Sequence, residues 1–167
     1  MTRFIIIFAA VLIGLFTLEM QESVQTAAIQ PFTSILASIS AGIIIPFDDA
    51  VVAYGRIIEH RAAQFAVSIE AGCNGVEATI VLIAGVLAFP ANWKQKLSAI
   101  ALGFIAVQAM NILRIISLFY LGQWDLAIFT WTHLYIWPVL IMLDVLIVFI
   151  VYLRYLNRQP TIAIQAT

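Results

Sequence analysis

Two apolar stretches, Leu97–Leu121 and Leu134–Tyr155, dominate the second half of the chain. Each is long enough to cross a bilayer as one helix, at about 1.5 Å rise per residue and roughly 20 residues per crossing. A chain carrying such runs has few options. In hydrocarbon every backbone polar group must be satisfied within the structure, which leaves helices or closed barrels, and continuous apolar runs of this length are helical. Composition agrees: 63% of the 167 residues are hydrophobic and 10% are charged, more apolar surface than a soluble domain of this size could hide. The sequence therefore predicts an all-α polytopic membrane protein over residues 1–167 as a single domain. It predicts a helical bundle of about four to five membrane segments.

The same composition limits the chemistry. A formal net charge of -1 lacks the basic excess that phosphate neutralisation demands, so nucleic acid is not an expected partner. With one cysteine, Cys73, there is no internal disulfide and no multi-cysteine metal site. No metal or cofactor is expected.

Along the chain, the apolar run Phe4–Leu18 follows Arg3 and ends at Glu19 and Glu22. It reads as a retained first helix or, less well, as a signal peptide, whose only small-residue cleavage site, Thr26-Ala27-Ala28, lies far beyond the apolar core. The stretch Ile29–Pro46, diluted by Ser and Thr and bracketed by Pro31 and Pro46, reads as re-entrant or interfacial. From Phe47 to Ala71 lies the only substantial polar segment. Within it, Ala50–Ile58 and Gln64–Ile69 flank a His60-Arg61 turn and suggest a small hairpin in water. Three spans follow, Val76–Phe89, Leu97–Leu121 and Leu134–Tyr155, with connections at Pro90–Lys96 and Gly122–His133. Arg3, Lys94, Lys96, Arg154 and Arg158 mark one side of the bilayer, which the positive-inside bias makes cytoplasmic. Cys73, the hairpin and the Gly122–His133 loop then fall on the extracytoplasmic side.

Ionisable groups inside spanning segments cost about 2.5–3.5 kcal/mol at a helix centre, so each needs a reason. Arg114 either snorkels, pairs with Glu77 or Asp144, or serves chemistry. Cys73 stands in Glu70-Ala71-Gly72-Cys73-Asn74-Gly75-Val76-Glu77, a glycine-flanked turn before a helix, where the helix dipole favours thiolate. A cysteine acting as a small apolar residue fits such a turn poorly. His133, in Trp131-Thr132-His133-Leu134-Tyr135, is by itself an ordinary interfacial residue. The topology brings all three to the outer third of the bundle from separate segments. Cys with His activates a thiol, and Arg stabilises the oxyanion formed when a carbonyl is attacked. His60, beside Glu59 and Arg61, reads as solvated, and Asp144 lies too deep for direct catalysis.

With Gly72-Cys73-Asn74-Gly75, Asn111-Ile112-Leu113-Arg114 and Thr132-His133 in this order, the chain resembles the exosortases and archaeosortases over residues 49–155. It is most similar to short forms such as exosortase H. It departs from the family pattern at Asn74, where Ser is common, and at Glu77, near a further common Ser. The resemblance implies a membrane-embedded cysteine endopeptidase or transpeptidase of the bacterial inner membrane. Its partners would be exported proteins carrying a C-terminal sorting signal of the PEP-CTERM kind, made of a motif, a tail helix and a basic end. A second nucleophile would be a possible acceptor. Cys73, Arg114 and His133 would be catalytic. Asn111 would orient the guanidinium, Asn74 would be a supporting residue, and Glu77 would hold Arg114 or His133 by charge or simply neutralise Arg114. The competing reading is a non-enzymatic assembly subunit or small carrier with a buried Arg114, Glu77 and Asp144 network. A haem or quinone site is disfavoured because no second membrane histidine completes the ligation.

Overall fold

The computed structural model describes residues 1–158. Helix α1 (Thr2–Glu19) leads through a tight turn into α2 (Glu22–Ile44), followed by three short strands, β1 (Val51–Tyr54), β2 (Ile57–His60) and β3 (Phe65–Ser68). Three further helices complete the described residues: α3 (Val76–Ala88), α4 (Trp93–Trp124) and α5 (Leu126–Arg158). Among the described residues, four of the five helices are long and apolar enough to cross a membrane. The protein is an all-α polytopic membrane protein bearing a small sheet at one end.

Helix α3 is the exception, since its 13 residues reach about 20 Å, short of a full bilayer core. It is also the most enclosed helix: Ala78, Thr79, Ile80, Leu82, Ala84, Gly85, Val86 and Ala88 are all buried. Helices α1, α4 and α5 pack around it. Small residues allow the close approach, with Gly103 of α4 against Leu82 and Gly85 against Phe149 of α5. At the far end Lys96 Nζ donates to the carbonyl oxygen of Leu87 at 2.8 Å, satisfying a terminal acceptor of α3.

The carboxyl of Glu19, at the end of α1, meets that of Glu77 in the first turn of α3. Helices α1 and α3 therefore run antiparallel, and Arg3 lies at the end opposite Cys73. Lys94 and Lys96 at the start of α4, and Arg154 and Arg158 at the end of α5, share that opposite end.

Three expectations are revised. Residues Ile29–Pro46 do not form a separate re-entrant piece. They belong mostly to the unbroken α2, whose π-helical turn at Gln25–Ile29 precedes Pro31 and accommodates the missing N–H. Length and composition would let α2 cross, yet its packing holds both its ends at the Cys73 end of the bundle. Its start is tied to α1 by Gln25 Nε2 donating to Glu19 O at 2.7 Å, and Leu36, Ala37, Ala41 and Ile44 pack with Val51, Ile58, Ile115 and Phe119.

The hairpin is instead a three-stranded antiparallel sheet in the order β1-β2-β3. The run Ala50–Ile58 is broken at Gly55, whose φ of 56° suits the left-handed turn between β1 and β2. His60 is the last residue of β2 rather than a turn residue. Its Nε2–H donates to Asp48 at 3.1 Å while Nδ1 accepts from Ala63 N–H at 3.0 Å, a structural role.

Finally, Gly122–His133 is not a loop. Helix α4 continues to Trp124, and Asp125 breaks the chain direction and caps α5, accepting from Ala127 N–H at 2.7 Å and Ile128 N–H at 3.1 Å.

Candidate active site

Three elements deliver the three predicted residues to one point. Cys73 lies in the turn before α3, Arg114 in the outer part of α4 and His133 in the π-helical turn Thr132–Ile136 of α5. Cys73 Sγ is 3.6 Å from Arg114 Nη2 and 3.9 Å from His133 Nε2. Both approaches are loose, as catalytic contacts often are before substrate tightens them.

The turn is shaped by its own sequence. Gly72 and Gly75 have φ of 84° and 75°, a region that residues with a Cβ adopt at a cost. At Gly75 space is also short, because a Cβ there would sit 2.9 Å from Gln108 Nε2 and 3.3 Å from Asn111 Cγ. Asn74, fully buried, locks the turn from both sides: Oδ1 accepts from Val76 N–H at 3.1 Å, and Nδ2 donates to Thr33 Oγ1 of α2 at 3.2 Å. Asn74 thus serves Cys73 by fixing backbone rather than by touching the thiol.

Arg114 is 7% exposed, and among the described residues it forms no salt bridge. Its guanidinium donates to Gly72 O at 3.5 Å and to the Cys73 sulfur, and its Nε–H has no partner. A buried cation left without a carboxylate is costly, and an anion formed beside the sulfur would offset that cost. Neither Glu77 nor Asp144 pairs with it. Glu77 turns to Glu19 and, near Gly72, lies along the flank of the turn. Asp144 remains deeper in α5 with Oδ2 unpaired. The buried Arg/Glu/Asp network of the competing reading is not formed.

Asn111 does not reach the guanidinium. It is fully buried and its Nδ2 donates to Gln108 Oε1 at 3.5 Å. Its part is to pack under Gly75, together with Gln108.

Four further residues shape the site. Gln108 was recognisable, since positions 108, 111 and 114 repeat every three residues and so share one helix face. Phe129 stacks on the His133 ring with centroids 5.7 Å apart and planes at 2°, one turn earlier on α5, and sets the imidazole's orientation. Asp125, as the cap of α5, fixes where that helix begins. Glu19 left no local signal, because its burial depends on α3 lying beside it.

The Cys73 thiol is pushed above its ordinary value of 9.0, first by burial, against the opposing pull of the Arg114 guanidinium, with Glu77 and Glu70 adding to the rise. The expected dipole-stabilised thiolate is therefore not the resting form. Cys73 precedes the first helical residue, Val76, and burial is the largest influence on its thiol. A base is needed, and His133 Nε2 is in place to act as one when the ring carries its proton on Nδ1.

The cleft over these groups has a volume of about 350 Å³ and is walled by β3, the Ile69–Ala71 segment, Arg114, Leu118, Phe129 and His133. No curated protein and no solved structure matches the chain. The family described as Transmembrane exosortase (Exosortase_EpsH) matches residues 2–157, nearly the whole of the described chain. This protein belongs to the transmembrane exosortase family.

Proposed function

We propose that the protein is a membrane-embedded cysteine endopeptidase or transpeptidase that cleaves C-terminal sorting signals from exported proteins. The observation that carries this reading is a buried Arg114 with no acidic partner among the described residues, turned toward a thiol that also faces a histidine. In the first step His133 Nε2 takes the Cys73 proton as sulfur bonds to the scissile carbonyl carbon, and the carbonyl π electrons move to oxygen. Arg114 stabilises that oxyanion. Collapse of the tetrahedral adduct breaks the C–N bond, His133 returns its proton to the leaving amine, and the substrate acyl group remains on Cys73 as a thioester. Water or an amine nucleophile then resolves the thioester. The acyl group is thereby hydrolysed or transferred.

The location follows the same logic. With the basic ends of α1, α4 and α5 on the cytoplasmic face of a bacterial inner membrane, Cys73 works at the extracytoplasmic face. There a tail helix anchored in the bilayer would deliver its preceding motif.

The test is co-expression with an exported reporter ending in a short motif, an apolar helix and a basic tail. Processing by the native chain should vanish in Cys73→Ala, and a thioester-linked reporter should be trapped on the native form. Unchanged processing in Cys73→Ala would remove the thiol from the chemistry.

A further inference from the structure

The sheet ends in a strand with one free edge, and that edge runs along the cleft. Strand β3 pairs only with β2, in the register Ile57↔Ser68, Ile58↔Val67, Glu59↔Ala66 and His60↔Phe65. Ile69 N–H donates to Arg56 O at 3.0 Å, continuing this register. In an antiparallel ladder hydrogen-bonded pairs alternate with non-bonded ones, so Phe65, Val67 and Ile69 direct their backbone groups at β2. The other seam agrees: Arg61 N–H donates to Ala50 O at 3.0 Å, which assigns the odd-numbered residues of β2 to β1 and leaves the even-numbered ones for β3. Ala66 and Ser68 must therefore turn their N–H and C=O groups outward. Among the described residues these groups have no backbone partner.

Successive strand residues point their side chains to opposite faces. The cleft nevertheless touches Val67, Ser68, Ile69, Glu70 and Ala71 in succession, and Cys73 beyond them. A cavity that meets both Val67 and Ser68, neighbours whose side chains leave opposite faces, and continues past Ile69, Glu70 and Ala71 beyond the strand, opens at its edge. Free edges are ordinarily blunted by proline, lysine or a covering element, and Phe65–Ser68 carries no proline and no lysine.

We infer that the free edge of β3 is the docking strand for the substrate. The extended polypeptide adjoining the scissile bond adds as a fourth strand, exchanges main-chain hydrogen bonds with Ala66 and Ser68, and is thereby carried along to Cys73. This rests on Cys73 being the nucleophile. The occupant is a single extended chain rather than a second copy's sheet, because α4 and α5 wall the cleft opposite β3 with Arg114, Leu118, Phe129 and His133. Recognition through the main chain orients the peptide without specifying every side chain of the motif.

Two variants of the full chain, co-expressed with the tail-bearing reporter, test the inference. Ser68→Pro removes an outward N–H that the ladder to β2 does not use. Reporter processing should fall at least tenfold while iodoacetamide alkylates Cys73 within twofold of the native rate. Native-rate processing would overturn the proposal. In the second variant a benzophenone amino acid replaces Ala66 in a Cys73→Ala background, where it should photo-cross-link to reporter residues beside the motif. No cross-link, or one only to another copy of this chain, would overturn the docking strand, and this arm decides if Ser68→Pro also loses alkylation. Capture needs no thiol. A reporter captured at position 66 but processed equally with and without Cys73 would sink the peptidase reading and leave the docking strand standing.

Discussion

Replacing Arg114 with Gln removes the positive charge that faces the Cys73 sulfur while keeping a polar side chain. The guanidinium lies 3.6 Å from Sγ, and the carbonyl oxygen of a substrate bonded to that sulfur would develop its charge at a similar distance. At an effective dielectric near 20, unit charges that far apart interact by about 4–5 kcal/mol. Removing an oxyanion donor from a preorganised site costs about 2.7–4 kcal/mol, or roughly 10²–10³ in rate. We therefore expect Arg114→Gln to slow acylation by roughly 10²–10³-fold, with apparent affinity for the reporter changed far less, because the charge is absent from the ground state. Arg114→Lys should recover part of the rate, since it restores charge without the planar fork. Pulse-chase processing of the reporter at several expression levels separates the rate from the affinity effect, and Cys73 alkylation reports that the site is intact. Arg114→Gln processing within threefold of native, in a background where Cys73→Ala is inactive, would refute the oxyanion role.

The thiol's environment sets a pH dependence. Burial raises the folded thiol above 9.0, so the thiolate is scarce at neutral pH and alkylation of Cys73 should keep climbing as pH rises past 9.0. His133→Gln should lose reporter processing at pH 7 while leaving alkylation at high pH near native, a split read by comparing the two assays across pH. Gly75→Ala places a Cβ at φ 75° and 2.9 Å from Gln108 Nε2, which should cost about 1–2 kcal/mol in backbone strain and lower the melting temperature of the detergent-solubilised chain by several degrees. An unshifted melting curve would show that the turn relaxes freely.

The fold class and the catalytic candidates were legible because their signals are local. Apolar runs longer than a bilayer crossing leave helices as the available backbone solution, and the basic residues at alternate run ends order the crossings. Cys73, Arg114 and His133 stood out as reactive or charged groups in an apolar background, and the parity of the crossings placed them at one end. Asp125 is harder to recognise as a helix cap, because Gly122–His133 is short and joins two longer apolar runs. One capping carboxylate is enough to begin α5 before His133, and so to place that histidine on a helix.

What required the tertiary structure was everything set by contact between segments. The sequence supplies Arg114, Glu77 and Asp144 with opposite charges and allows them to pair. Only the packing of α1 against α3 gives Glu77 to Glu19 and leaves the guanidinium facing sulfur. Asn111 has the spacing to reach Arg114, but the close approach of the Gly75 turn directs it to Gln108 instead. The acidity of Cys73 likewise depended on enclosure by the segments packed around it, since burial is the largest influence on the thiol. The composition of Ala50–Ile69 announces strands. Which strand lies at the edge, and that its unbonded face adjoins the thiol, follows from the pairing register and from the helices packed beside it. Sequence determines what each segment can bury and where it turns, because those are properties of neighbouring residues. Which charges meet, and which edge stays open, are decided by residues far apart in the chain that share one low-dielectric space.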